Sequence, residues 1–148
     1  MSIVNVVTLD GPSGAGKGTL GVSIANKLSY NYLDSGVFYR ALAVAAERHN
    51  VDLNDKEGLK KLANNLDIFF QVEFASIIKL FLEGEDVTRE LMLESTASRA
   101  SILALDFGVR AALTARQRLF AISPGLVADG RDMGTVVFPN ATLKFFLT

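Results

Sequence analysis

The sequence predicts an α/β fold: a parallel sheet with helices on both faces, and a small antiparallel insert. Three observations give that class. Apolar, β-branched runs alternate with helical patterns toward both ends of the chain. A glycine-rich segment joins the first such run to the first helical pattern, and two short apolar runs lie close together in the middle. With 148 residues, 49% hydrophobic and 21% charged, the chain has enough apolar mass for one buried core, which excludes a disordered or fibrous protein.

The elements follow in order. Ile3 to Leu9 (IVNVVTL) is a buried-strand pattern that stops at Asp10-Gly11-Pro12. From Lys17 to Ser29 the period changes to helical, with Leu20, Ile24 and Leu28 expected to face inward. Asn31 to Leu33 fits a short strand. Asp34 and Ser35 then offer N-cap side chains to a helix through Arg48, with Val37, Ala41, Leu42 and Ala45 on its buried face. Asn54 and Glu57 have capping-box spacing ahead of Leu59, Leu62 and Leu66. Asp67 to Phe74 and Ile77 to Glu83 read as antiparallel strands parted by Ala75-Ser76, with Gly84-Glu85 turning the chain again. Two helices are expected over about Arg89 to Leu105 and Val109 to Ile122, with Asp106 as the cap between them. Leu126 to Ala128, ending at Asp129, and Leu143 to Leu147 complete the parallel strands. The expected organisation is one domain over 1–148, with a core of 1–66 and 123–148 and an inserted region at about 67–122.

Composition removes several function classes. Fifteen basic against sixteen acidic residues, with no run of like charge, leave no electrostatic footprint for a nucleic acid polymer or an anionic membrane. The absence of cysteine excludes disulfides, zinc-thiolate sites and thiol nucleophiles, and the single His49 reads as an exposed helix-end residue. The amino terminus has no basic n-region and no apolar run reaches membrane-spanning length, so a cytoplasmic protein is expected. The phenylalanines of DIFFQVEF and KFFL read as core, Lys60-Lys61 and Arg116 with Arg118 as solvated helix faces, and the lack of a long apolar surface stripe points to a monomer.

The strongest motif is GPSGAGKGT, comprising Gly11, Pro12, Ser13, Gly14, Ala15, Gly16, Lys17, Gly18 and Thr19, between a strand and a helix. Its glycines let successive backbone N–H groups face a polyphosphate at a helix amino terminus. Lys17 adds a positive charge toward the β and γ phosphates, and Thr19 a hydroxyl for the phosphate and Mg²⁺ shell. This is the phosphate loop of P-loop NTPase folds, in a variant with Gly18 between the lysine and the threonine. A GTPase would also need an Asn-Lys-x-Asp guanine reader. Asn26-Lys27 is the only Asn-Lys pair and continues into Leu28-Ser29.

Two further segments carry the acceptor side. LDSGVFYRA puts Ser35 at a helix start and Arg40 about one and a half turns on, suited to a phosphate or to plain exposure on the helix. In ADGRDMGTVVFP, Asp129 ends an apolar strand, a position that often serves the Mg²⁺ shell, and Arg131 and Asp132 follow at the carboxyl edge of the sheet where ligands bind.

Together DGPSGAGKGT, LDSGVFYRA, LEGEDVT and ADGRDMGTVVFP resemble the bacterial cytidylate kinase family, over essentially the whole chain. The resemblance implies transfer of the γ-phosphoryl group of ATP, with Mg²⁺, to CMP or dCMP, and places the antiparallel insert in the NMP-binding region. It implies that Arg40 and Arg131 hold the acceptor phosphate beside Ser35, and that Ser101, Arg110 and Asp132 contact cytosine. Lys17, Arg40 and Arg131 would then carry the catalytic charge stabilisation. Base chemistry agrees: cytosine offers its N4 amine to a carboxylate and its N3 and O2 to an arginine, whereas uracil turns an acceptor toward that carboxylate. A solvated serine and a surface ion pair stay open as plain readings of Ser101 and Arg110. The family continues past the point matching Thr148 with an arginine-bearing lid and a last parallel strand. The 148-residue stretch therefore reads as truncated and, by itself, as a poor phosphoryl-transfer catalyst. A nucleotide-binding module without turnover and a phosphate-loop kinase for another small acceptor are the competing expectations.

Overall fold

A computed structural model describes residues 3–12, 14–73 and 76–148. Ser13 of the phosphate loop, and Phe74 and Ala75 between the insert strands, lie outside the described residues. The elements are β1 (Val6–Asp10), α1 (Lys17–Leu28), β2 (Asn31–Asp34), α2 (Ser35–Arg48), α3 (Lys56–Asn64), β3 (Ile68–Glu73), β4 (Ser76–Leu82), β5 (Glu85–Asp86), α4 (Thr88–Leu91), α5 (Glu94–Leu103), α6 (Phe107–Arg118), β6 (Leu126–Gly130), a π-helical turn (Met133–Val137) and β7 (Leu143–Phe146). The chain divides into two compact units, Met1–Ser35 with Val72–Ile78 and Gln117–Thr148, and Gly36–Gln71 with Lys79–Arg116.

The first unit is built on a parallel sheet in the order β2-β6-β1-β7. Val7, Leu9, Tyr32 and Val127 form one buried face with Val22 and Ala25 of α1, as expected of parallel strands covered by a helix. The stripe expected to bury, Leu20, Ile24 and Leu28, is not the face α1 uses. Leu20 and Leu28 are exposed, and Gly21, Val22 and Ala25 are buried instead. The reason is close approach: a Cβ on Gly21 would lie 2.9 Å from the Tyr32 ring and 3.2 Å from Leu9. α1 ends on Ser29 in the left-handed conformation, with Tyr30 N–H donating to the Ala25 carbonyl over 2.9 Å. On the opposite face of β1 lies the π-helical turn, where a Cβ on Gly134 would meet Thr8 Oγ1 at 2.8 Å.

In the second unit α2 buries Phe38, Ala41, Leu42, Ala45 and Ala46, α3 buries Leu59, and the small sheet buries Leu80 and Leu82. Each fully buried large side chain of this kind stabilises the fold by about 1.5–3 kcal/mol before chain entropy is counted. The rings of Phe38 and Phe70 lie 6.2 Å apart, and Arg48 bridges Glu85 (2.5 Å) and Glu90 (3.5 Å). These contacts tie α2 to residues of β3, β5 and α4, and the two compact units change over at Ser35/Gly36, Gln71/Val72, Ile78/Lys79 and Arg116/Gln117. The small sheet runs β3-β4-β5, with Leu82 opposite Glu85. Glu83 (φ 52°) and Gly84 (φ 82°) form the turn between them, both left-handed as a tight hairpin requires. Thr88 fixes the exit: its N–H and hydroxyl donate to Asp86 Oδ1 (3.0 and 2.7 Å), and its Oγ1 accepts from Leu80 N–H.

Other local expectations change. The cap of α3 is Asp55, whose Oδ1 accepts from Gly58 N–H at 3.0 Å, and not Asn54. The helix expected over Arg89 to Leu105 is broken at Met92-Leu93. There the Thr96 hydroxyl donates to the Glu90 carbonyl at 2.6 Å, a side-chain bond that competes with helix continuation. Asp106 does cap α6, through Val109 N–H at 2.9 Å, and α6 stops at Arg118. Phe69, Phe145 and Phe146 are exposed rather than core. Arg116 and Arg118 are not simply solvated: Arg116 Nε donates to the Leu66 carbonyl, and Arg118 to the carbonyls of Val136 and Val137. His49 is exposed and meets Glu83 at 2.7 Å.

Candidate functional site

The phosphate loop leaves the carboxyl end of β1 and enters α1 at Lys17. Gly14 (φ 84°) and Gly16 (φ 86°) hold left-handed conformations with open space where a Cβ would be, so they serve backbone shape and not packing. Gly16 stands at the N-cap of α1, and no side chain caps the helix there. Among the described residues no side-chain cap bond occupies the first amides of α1, as an anion site there requires. Lys17 is mostly buried, with its Nζ 3.7 Å from Asp129 Oδ1.

Asp129 is the centre of this end of the sheet. It is buried at the end of β6, and Tyr32 donates a 2.9 Å hydrogen bond to its Oδ2. Burial pushes its carboxyl above the usual range, countered by the Tyr32 hydroxyl and Lys17 and reinforced by Asp10. Tyr32 is itself pushed far up by burial and by Asp34 and Asp129, so it stays a hydrogen-bond donor. Gly18 and Gly21 of α1 flank the same oxygen, at 3.8 and 3.7 Å from where their Cβ atoms would stand. Thr19 is exposed in the first turn of α1, as its third residue. One hydroxyl and one buried carboxylate beside a lysine fit a hydrated Mg²⁺ held chiefly by nucleotide phosphates, and among the described residues no cluster of three or more acidic or histidine side chains offers a dedicated protein cage.

Arg131 and Asp132 follow β6 and are exposed. Gly130 is obligatory before them, since a Cβ there would lie 2.7 Å from the Cβ of Ser35 and 3.0 Å from Met133 Sδ. Ser35 is buried in the same unit, at the first residue of α2. Asp132 has a left-handed backbone, φ 61°, and opens the π-helical turn. Sequence reasoning missed two residues here. Tyr32 reads only as a strand aromatic, and Asp10 only as the residue before the phosphate loop. Asp10 accepts from Met133 N–H (2.7 Å) and Gly134 N–H (2.9 Å), contacts across 123 and 124 positions. An acid at a strand end is the one signal both Asp10 and Asp129 gave.

The remaining expected residues, Arg40, Ser101 and Arg110, belong to the second unit. Arg40 is half-buried on α2, and Ser101 and Arg110 are exposed on α5 and α6, either side of the break capped by Asp106. The Ser101 hydroxyl donates to the Ala97 carbonyl of its own helix at 3.1 Å.

The family model for cytidylate kinase matches residues 7–148. The chain belongs to the cytidylate kinase family. Its relatives in that family include the cytidylate kinase of Aliivibrio salmonicida (strain LFI1238), 60% identical over 142 residues, which are 96% of this chain and 63% of that protein. The cytidylate kinase of Pseudomonas fluorescens (strain Pf0-1) is 53% identical over 148 residues, 99% of this chain and 65% of the relative. That of Vibrio cholerae serotype O1 is 57% identical over 142 residues, 96% and 63%. The chain thus spans just under two thirds of the length of these cytidylate kinases. Among the described residues no helix is long and apolar enough to cross a membrane.

Proposed function

We propose that the protein transfers the γ-phosphoryl group of ATP to the phosphate of CMP or dCMP, acting in the cytoplasm. The observation that carries this reading is the juxtaposition at one sheet edge. The phosphate loop leaves β1 and the Arg131-Asp132 segment leaves β6, strands paired in register with Asp10 opposite Gly130, and Lys17 and Asp129 meet there.

In the proposed reaction a phosphate oxygen of CMP forms a bond to the γ-phosphorus while the bond from that phosphorus to the β–γ bridging oxygen breaks, leaving ADP and CDP. The attacking oxygen is already anionic, so no covalent nucleophile or general base is needed. Lys17 exchanges Asp129 for phosphate oxygens and stabilises charge on the transferred group. Arg40 and Arg131 orient the acceptor phosphate, with Ser35 beside it. Asp132 accepts from the cytosine amine, Arg110 donates to the ring acceptors, and the Ser101 hydroxyl turns from its helix carbonyl to the base. Thr19 and Asp129 would hold Mg²⁺, which when bound neutralises phosphate charge.

The test is a coupled assay of the complete gene product with ATP, Mg²⁺ and each of CMP, dCMP, UMP and AMP. CMP and dCMP should be the favoured acceptors, and Asp132→Ala should reduce the preference for CMP over UMP by about 10²-fold or more. Equal turnover of UMP by the parent, or an unaltered preference in Asp132→Ala, would overturn the reading.

A further inference from the structure

The turn that follows Asp132 is held at both ends by side chains from elsewhere in the first unit. At its start, the amides of Met133 and Gly134 donate to the two carboxylate oxygens of Asp10, at 2.7 and 2.9 Å. At its finish, Arg118 Nε donates to the Val137 carbonyl at 2.8 Å and Arg118 Nη2 to the Val136 carbonyl at 3.0 Å. Within the turn the Asp132 carbonyl accepts from both Val136 and Val137 N–H (2.9 and 3.1 Å), and Phe138 N–H closes on Met133. A π-helical turn is intrinsically poor and persists where its surroundings determine it, frequently at functional sites. Here the surroundings are a carboxylate at one end and a guanidinium at the other, each making two charge-assisted bonds.

The chemical consequence falls on Asp132. An aspartate at a helix N-cap ordinarily uses its carboxylate on the amides of the first turn. Asp132 occupies that position with a left-handed backbone and makes no such bond, and Asp10 takes the amides of Met133 and Gly134 instead. Its left-handed backbone is fixed from both sides. Its own carbonyl is the acceptor on which the turn closes, and the amide of the next residue is pinned to Asp10.

We infer that Asp10 and Arg118 are positioning residues that clamp the Met133–Val137 turn, so that the backbone carrying Arg131 and Asp132 toward the acceptor nucleotide is held in one conformation. The inference rests on the proposed reading of Asp132 as the cytosine contact, and it adds two residues to which that reading assigns no nucleotide contact. Asp10 adjoins the phosphate loop, whereas Arg118 acts on the turn alone, so Arg118 gives the cleaner test.

The experiment compares Arg118→Gln, Arg118→Lys and Asp10→Asn with the parent, as complete gene products. It measures KM for CMP, KM for ATP and the ratio of kcat/KM for CMP over UMP. Losing a charge-assisted pair that positions a binding group should raise KM for CMP by about tenfold to a hundredfold in Arg118→Gln and shrink the CMP-over-UMP ratio by a similar factor. KM for ATP should change by less than about twofold. Arg118→Lys, which keeps one donor, should recover part of the loss, and Asp10→Asn, which exchanges one acceptor for a donor, should move both CMP readouts in the same direction. A general structural role would instead raise both KM values together and leave the base ratio alone. That result, or parent-like CMP behaviour in folded Arg118→Gln, overturns the inference. Should Arg118→Gln not fold, Arg118→Lys and Asp10→Asn decide it by the same two criteria. A parent with no preference for CMP overturns the underlying reading and this inference with it, whereas a selective parent with equally selective variants overturns this inference alone.

Discussion

Two loops leave neighbouring strands of the same parallel sheet, and both are rich in glycine for opposite reasons. After β1, Gly14 and Gly16 stand in left-handed conformations with nothing where a side chain would go. After β6, Gly130 and Gly134 stand where any Cβ would collide, with Ser35 and Met133 in one case and Thr8 in the other. Beyond Gly11, where a Cβ would collide with the Leu147 carbonyl, the first loop is shaped by torsion and left open at Gly14 and Gly16, as a loop that must receive a polyphosphate through its amides should be. The second is shaped by packing and tied down by Asp10 and Arg118, as a loop that must hold one side chain still should be. Glycine content alone does not distinguish the two.

Substitutions can break or sharpen that contrast. The largest effect is expected at Lys17. Lys17→Ala should lower phosphoryl transfer by about 10²- to 10³-fold in the coupled assay while CMP affinity stays within about threefold, because the loss falls on the open loop only. Next, Gly130→Ala should cost about 1–3 kcal/mol in urea unfolding, since the added methyl overpacks a filled site. Tyr32→Phe removes the donor to the buried Asp129 and should cost about 2 kcal/mol near neutral pH. The sign with pH follows from burial holding the Asp129 carboxyl above its unfolded value. That carboxyl's contribution to stability is greatest below the unfolded value and is lost as pH rises through the folded one, and removing the Tyr32 donor moves the folded value higher still. The deficit of Tyr32→Phe should therefore be widest above the folded value and narrow toward about pH 4, read from thermal melts across that range. The smallest stability effect belongs to Gly14→Ala, about 1 kcal/mol from the left-handed backbone alone, accompanied by weaker ATP binding. Equal costs for Gly14→Ala and Gly130→Ala would erase the distinction between the two loops.

The same contrast explains what the sequence made legible. The phosphate loop, the strand that feeds it and the segment after β6 are continuous strings, and their chemistry depends on neighbours in the chain. So does the Glu83-Gly84 hairpin turn, one residue from the Gly84-Glu85 turn that the sequence predicts. The inward face of α1 departs from the periodic stripe because it is set by how closely the helix lies on Tyr32 and Leu9, and close approach favours Gly21 and Ala25 over the leucines a periodicity argument selects. From sequence Arg118 reads as solvated because its partners, the carbonyls of Val136 and Val137, carry no side-chain signature and lie 18 and 19 positions away. The break at Met92-Leu93 turns on the Thr96 hydroxyl bond, which competes with a helix that residue propensities alone would continue.

The register of β1 and β6 has a consequence of its own. Asp129 pairs with Leu9, and Asp10 with Gly130. The two acids are thus out of step by one residue, and since side chains alternate along a strand they emerge on opposite sides of the sheet. One carboxylate is delivered to the side of α1 and Lys17, the other to the side of the turn after Asp132. Parity, more than distance, keeps two like charges at one sheet edge assigned to different tasks. A single-residue insertion upstream in either strand would place both acids on one side, leaving the other side with none.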